Sequence, residues 1–390
     1  MEVGPQLLSP EKLWIITSLK GCEGQPFPEG RVFSGRRVHI DGPLVLGVLA
    51  LSFFGLMVIY SASGESWQVM WRQSARLVLS VVVMLAVAQI PPGLLRRLSP
   101  HFFLAGILIL TLVLIAGYVG KGAQRWLDLG VVRFQPSELM KLGVPMAVAW
   151  LLTRRSLPPR FLDVLLAIVV IVLPAVLVVV QPDLGTAIML MISGLLVLFL
   201  SGARWQHLLM LTAVALAAAP YLWSRLHEYQ QERILTMFDP WSDPLGSGYH
   251  SIQSMIAIGS AGLAGKGWLS GSQSHLEFIP ERSTDFVFAV FAEEFGLIGV
   301  IALVTLYVFL VGRCLVMAYH VREAFSRLLI GGLAMTFFFY FFVNTAMVSG
   351  LLPVVGVPLP LVSYGGTSMV TLMAAFGIMM GAYTRRHLMF

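Results

Sequence analysis

Long apolar runs separated by short polar stretches set the pattern of this chain; they recur near residues 43–63, 75–91, 101–120, 136–153, 162–180, 184–200, 205–224, 292–318, 327–348 and 367–384. Each is close to the roughly 17 to 25 residues that an α-helix needs to cross the hydrocarbon core of a bilayer. The pattern predicts an all-α polytopic membrane protein with about ten transmembrane helices, although the two runs flanking Gln181–Asp183 also read as one segment broken at QPD. One polar interval is long, at about 225–291, and it forms a large loop between spans seven and eight. Residues 1–38 hold no run of spanning length, so the expected organisation is a polar tail at 1–38 followed by a membrane domain at 39–386. The tail shows no small-residue cleavage site, and the first span is expected to serve as the signal. Within the tail, SPEKLWIITSL fits a short amphipathic helix or a disordered segment equally well.

Composition agrees with a membrane solvent: 57% of the residues are hydrophobic, 12% are charged and the mean hydropathy is +0.82. Two cysteines, Cys22 and Cys314, exclude a disulfide framework or a thiolate metal site, and neither CxxC nor HExxH occurs. The net charge of +6 is distributed in clusters between apolar runs and not on one basic face, so no nucleic-acid partner is expected. Those clusters report orientation through the excess of Lys and Arg in cytoplasmic loops. The tail and every second short loop carry Lys12, Lys20, Arg36, Arg37, Arg96, Arg97, Arg154, Arg155, Arg385 and Arg386 among others, whereas the opposite short loops carry Arg72, Arg76, Lys121, Arg125 and Arg133. Both termini are therefore expected in the cytoplasm, with the long loop outside.

Against this background the polar groups carry the information, because an ionisable side chain at the middle of a bilayer costs about 2.5–3.5 kcal/mol. In IPERSTDFVFAV a charged, proline-broken segment runs into an apolar one, and Asp285 marks the boundary. A half-buried carboxylate there is expected to hold its proton more tightly than usual and to suit a general base; a helix N-cap fits the same location. QPSELMKLG opens the fourth span and places Glu138 and Lys141 three residues apart on one face, as a packing ion pair or as a polar wall of a substrate cavity. KGAQRWLDLG brings Lys121, Gln124, Arg125 and Trp126 together, which suits an interfacial anchor or a site where an aromatic face meets sugar and cations meet phosphate. GLAGKG does not satisfy the phosphate-loop pattern, since Ser260 and Gly267 occupy positions that require Gly and Ser or Thr. Asp239 and Asp243, each followed by Pro, read as turn formers. HSIQSMIAIG has the spacing of an amphipathic helix that lies on or re-enters the membrane, from which Gln253, with Lys266 beyond it, would face a headgroup. GIMMG, Gly377 to Gly381, fits helix packing within the chain or against a partner.

The motifs YSASG, KGAQRWLDLG, RFQPSE, QPDLGT, SDPLGSGYH, IAIGSAGLAGKGW, PERSTDF, AEEFGLIG and NTAMVSGLLPVVGVPLPLVSYGGTS, in this order over residues 37–386, resemble the SEDS family of bacterial wall synthesis, its elongation (RodA-like) branch more than its division branch. The resemblance implies a peptidoglycan glycosyltransferase that polymerises lipid II, an undecaprenyl-pyrophosphate-linked substrate, at the outer face of the cytoplasmic membrane. It implies Asp285 as catalytic base and Trp126 as a substrate residue; Lys121, Arg125 and Lys266 would steady the departing diphosphate, together with a divalent cation (Mg or Mn) if one is used. Glu138 and Lys141 would shape the cavity. A class B penicillin-binding protein transpeptidase and other membrane proteins of the elongation complex are the implied partners. One departure is plain: Ser283 stands where the family usually has His. Two other readings fit the same spans, a lipid II flippase or transporter and a scaffold that recruits wall enzymes.

Overall fold

In the computed structural model the described residues are 39–120, 123–128, 133–155, 157–225, 231–232, 234–236, 239–244, 246, 248–272 and 281–386. All belong to one compact unit, His39–Phe390. The expected tail helix at SPEKLWIITSL, and Lys121, lie outside the described residues.

Every apolar run became a helix: α1 (Gly42–Ala62), α2 (Trp67–Ala88), α3 (Pro92–Ala116), α4 (Pro136–Leu152), α5 (Phe161–Val180), α6 (Leu184–Leu200), α7 (Trp205–Arg225), then α9 (Val287–His320), α10 (Ala324–Val348) and α11 (Thr367–Thr384). Their starts are set by local chemistry. Asp41 caps α1 by accepting from Leu44 N at 3.1 Å, Asp183 caps α6 by accepting from Thr186 N at 3.2 Å, and Pro opens α3 and α4, where its missing N–H has no helical partner to lose. Seven of these helices, α1, α2, α3, α5, α9, α10 and α11, are long and apolar enough to cross a membrane, and α6 is a shorter apolar helix of 17 residues. α4 differs from them: 14 of its 17 residues are buried, so it packs inside the bundle against α3, α5, α6, α10 and α11.

The structure departs from the expected pattern in three places and bears out the helix expected at HSIQSMIAIG. α2 and α3 begin at Trp67 and Pro92, earlier than their apolar runs, because polar and proline-led turns precede the hydrophobic stretch within the same helix. The chain is not purely helical: β1 (Tyr118–Gly120), β2 (Ala123–Asp128) and β3 (Arg133–Phe134) form a small antiparallel sheet in that order, pairing Tyr118 with Trp126 and Leu127 with Phe134. HSIQSMIAIG does form a helix, α8 (Tyr249–Gly259), tucked against α9 and α10, and Ser254 Oγ donates to Val348 O at 2.8 Å. Finally, α9 begins at Val287 and is broken at Gly296 (φ 64, ψ −163).

Packing at the two ends of the bundle shows which termini share a side. Arg313 grips Asp41 through two bonds of 3.1 and 2.5 Å, His39 Nδ1 lies 3.1 Å from Thr384 Oγ1, and Arg385 donates to the carbonyls of Ala88, Gln89 and Ile90 at 2.6–3.2 Å. The start of α1, the end of α2 and the end of α11 therefore lie at one end. GIMMG serves this internal packing: a Cβ on Gly377 or Gly381 would fall on the backbone carbonyl of Met84 or Ala88.

Candidate active site

Asp285 closes a tight turn, 281–286, at the opposite end of the bundle. The turn is held by Thr284 N–H and Phe286 N–H, which donate to Glu281 O at 3.0 and 3.4 Å, with Glu281 in the left-handed region (φ 52). Three successive carbonyls are then tied to α10 and to the segment between α10 and α11. Tyr364 N–H donates to Ser283 O at 2.8 Å, Ser363 Oγ to Thr284 O at 2.5 Å, and Asn344 Nδ2 to Asp285 O at 2.8 Å; the same nitrogen also reaches Val357 O at 2.7 Å. Asn344 is fully buried, so its bonds are made without competition from water. The backbone at Asp285 is thus fixed while its side chain stays partly exposed, with Oδ2 3.5 Å from the position a Cβ would take on Gly356. The N-cap position of α9 is Phe286, so Asp285 stands one residue outside it. From the α8 side, the His250 ring stacks on Phe286, 5.6 Å between centroids and 16° between planes.

The Trp126 hairpin reaches the same end through Arg125. Its guanidinium donates to Gln181 O at 3.2 Å and to Pro182 O, and stands 3.9 Å from Asp183, which also accepts from Gln135 Nε2 at 3.0 Å. QPD is thus the clasp of the hairpin. Two residues on, Gly185 lies so close to Val355 that a Cβ would meet its carbonyl oxygen, and Val355 precedes the Gly356 that faces Asp285. Trp126 itself is partly exposed; Gln124 is on β2 opposite Val119.

Glu138 and Lys141 form the expected ion pair at 2.7 Å, buried to 7% and 9% side-chain exposure, with the ammonium 4.9 Å from the Tyr340 ring centre. They belong to the bundle interior. Lys141, Thr336, Tyr340 and Thr371 supply the polar part of the lining of a cavity of about 20 Å³, room for one water. Lys266 is paired as well: its ammonium lies 2.7 Å from the buried Glu293 carboxylate and 2.7 Å from Ser272 Oγ. Gln253 is half-buried on α8. Asp239 accepts from Trp241 N–H and Asp243 from Gly246 N–H, at 3.2 and 3.1 Å, as turn formers do.

Three groups at the site carried no chemical signal in the sequence. Arg76 of α2 places its guanidinium over the Tyr364 ring at 4.7 Å, and it has no carboxylate within ion-pair distance among the described residues. Its sequence signal was only an arginine on the sparsely charged side. Asn344 looked like any amide in NTAMVSG, and Ser61 of YSASG donates to the buried Glu294 carboxylate. Among the described residues no group of three or more His, Cys, Asp or Glu side chains is placed to hold a metal ion.

Comparison with known proteins agrees with this arrangement. The family model FtsW/RodA/SpoVE, described as a cell cycle protein, matches residues 43–387. The peptidoglycan glycosyltransferase MrdB of Escherichia coli (strain K12) is 49% identical over 354 residues, 90% of this chain and 96% of that one. The probable peptidoglycan glycosyltransferase FtsW of Idiomarina loihiensis is 34% identical over 87% of this chain and 86% of its own length. Among solved structures, a chain from work on coordination of polymerization and crosslinking by a peptidoglycan synthase complex aligns with a TM-score of 0.79 at 34% identity, covering 89% of this chain and 98% of that one. The crystal structure of the Thermus thermophilus rod shape determining protein RodA aligns with a TM-score of 0.68 at 30% identity, covering 89% and 97%. The chain belongs to the FtsW/RodA/SpoVE family of cell cycle proteins, the SEDS family to which its motifs point.

Proposed function

We propose that this chain is a peptidoglycan glycosyltransferase that polymerises lipid II during cell elongation, with Asp285 as its general base. One observation carries the reading: Asp285 has its backbone clamped through three consecutive carbonyls while the residue stays partly exposed at the end of the bundle. A base must be held in place and still reach a hydroxyl. The acceptor sugar's 4-hydroxyl gives its proton to the Asp285 carboxylate, and its oxygen attacks C1 of the donor sugar. The bond from C1 to the diphosphate oxygen breaks, and undecaprenyl diphosphate leaves with the bonding pair. One displacement inverts an α-linked donor into a β-1,4 product, so one carboxylate suffices.

Trp126 would offer its face to a sugar, and Arg125, clasped by QPD, would hold the hairpin that carries it. Arg76 and Lys121 are the cations assigned to the leaving diphosphate. Arg76 is supported by its missing carboxylate partner and its contact with Tyr364, whose N–H holds Ser283. The buried pair of Glu138 and Lys141 would shape the bundle beneath the site. A divalent cation enters this reading only as a companion of the diphosphate.

The same proposal places all ten helices formed by the apolar runs across the inner membrane, with both termini in the cytoplasm and the 225–291 loop outside; the asymmetry of Lys and Arg supports it. A class B penicillin-binding protein transpeptidase is the proposed partner, supported by the likeness to a peptidoglycan synthase complex. The direct test is extension of labelled lipid II by purified protein. Asp285→Ala is expected to make no glycan; a variant that still extends chains removes the base assignment. A lipid II flippase is the rival favoured by the interior ion pair. In that case Glu138→Gln would abolish flipping while Asp285→Asn spared it.

A further inference from the structure

Nothing in the transfer chemistry accounts for the loop 261–268, which has the composition of a phosphate turn and is built against a break in a helix. Where α9 leaves helical geometry at Gly296, the carbonyls before the break and the N–H groups after it lose their partners. The loop supplies new ones. Lys266 N–H and Gly267 N–H donate to Glu293 O and Glu294 O at 3.0 Å each, and Leu297 and Ile298 N–H donate to the carbonyls of Gly262 and Leu263 at 3.2 and 3.1 Å. Gly265 permits the approach: it has φ +77, and a Cβ there would fall on the Glu294 carbonyl. Side chains repeat the join. The Lys266 ammonium meets the fully buried Glu293 carboxylate at 2.7 Å, and Ser272 Oγ bridges the two at 2.7 and 3.1 Å.

We propose that Lys266 and Glu293 are a positioning pair for the transfer reaction. They lock the loop onto the break in α9 and so fix the half-helix Val287–Phe295, at whose head Asp285 stands; Lys266 is not a ligand of substrate phosphate. This inference rests on Asp285 being the base. The ammonium already donates to a buried carboxylate and to a hydroxyl, and drawing it away to a diphosphate would leave the Glu293 charge buried without its cation. The chain accordingly departs from the phosphate-loop pattern at Ser260 and Gly267 while keeping the glycine that lets two backbones touch.

The experiment is a charge-pair cycle on the full-length purified protein, with lipid II extension and the melting temperature read on the same samples. Lys266→Met and Glu293→Gln are each expected to lower turnover tenfold or more with the apparent KM for lipid II changed less than threefold. The double variant, which removes both charges and leaves neither buried alone, is expected to return to within about threefold of the parent. Lys266→Arg is expected to stay within the same threefold. If the double variant stays as slow as Lys266→Met, whether or not its melting temperature recovers, Lys266 has a role that Glu293 does not share and the pairing is overturned. A rise of apparent KM of tenfold or more in Lys266→Met, with turnover kept, also overturns it by marking a substrate ligand. An inactive parent protein would strike the polymerase reading itself, and the cycle would then show its coupling in the melting temperature alone.

Discussion

At the end of the bundle where α1 begins and α11 finishes, charge closes structure. Arg385 collects the carbonyls that end α2, and Arg313 holds Asp41 with two bonds, so each cation is occupied by a group the fold must satisfy. At the other end, where α10 finishes and α9 begins, neutral donors do that work: an asparagine, a serine and a backbone N–H hold the three carbonyls around Asp285. Two ionic residues stand partly exposed there, Asp285 and Arg76, the latter with its guanidinium over Tyr364. The difference indicates where chemistry can occur. One end uses its ionic groups to cap helices, whereas the other fixes the turn that carries Asp285 with uncharged groups and leaves ionic ones, Arg125 on QPD and Lys266 on Glu293, to join the elements around it.

The comparison breaks most directly at Asn344. Asn344→Ala removes two buried hydrogen bonds and leaves the carbonyls of Asp285 and Val357 without that donor. Each buried orphan costs about 1–3 kcal/mol, and the proposed base at Asp285 loses its register. Lipid II extension should fall about 100-fold, and the melting temperature should drop by several degrees. If turnover stays within twofold of the parent, the carbonyl clamp is not what holds Asp285.

Trp126 sharpens it at the next level. If the open end presents a ring to a sugar, Trp126→Ala should raise the apparent KM for lipid II about tenfold, close to 1.4 kcal/mol. Trp126→Phe should recover most of that loss. Equal KM values in all three proteins would make Trp126 an interfacial anchor and confine the substrate surface to the α9–α10 side.

How far the sequence reaches is clear from these same groups. The helices were legible because hydrocarbon length and hydropathy act locally along the chain; Asp285 stood out as a carboxylate at the edge of an apolar run, and Trp126 because cations and a glutamine flank it in sequence. The β-hairpin was not legible, since six residues in β2 and two in β3 are too few for alternation to declare itself. The break in α9 was hidden for a related reason: AEEFGLIG reads as an apolar run containing a glycine, and only the loop packed against Gly296 makes it a break. The pairings were out of reach. Lys266 meets Glu293 across 27 residues, and Arg125 meets Gln181 across 56, and a single sequence does not record which distant polar groups fold together.

The closing end should respond in stability and not in turnover. Arg313→Ala loses two charge-assisted bonds to Asp41; such bonds are worth roughly 1.5–3 kcal/mol when buried, and less here because Arg313 is partly exposed. The expected result is a fall of a few degrees in melting temperature with extension of lipid II within twofold of the parent. Loss of turnover at unchanged stability would show that the two ends are coupled and that the division between them is wrong.

The smallest effect concerns His39, which lies beside Thr384 at the same end. Burial first, and the neighbouring Arg385 charge second, hold its pKa below the ordinary 6.5. The native state therefore binds this proton less readily than the unfolded chain does, and the neutral imidazole contributes its stability above the unfolded value. That contribution is fully present above about pH 6.5 and is lost as pH falls towards the lower folded value. Melting temperature measured from pH 7.5 down to 5.5 should decline slightly more in the parent than in His39→Gln, with the two curves converging at the upper end. The difference is small because His39 is only partly buried, and it should appear in stability alone, since its neighbour Arg385 is bonded to the carbonyls that end α2. A parent curve that rises on acidification relative to His39→Gln would mean that the imidazolium is the favoured form, and that this end too holds a charge kept for something other than closure.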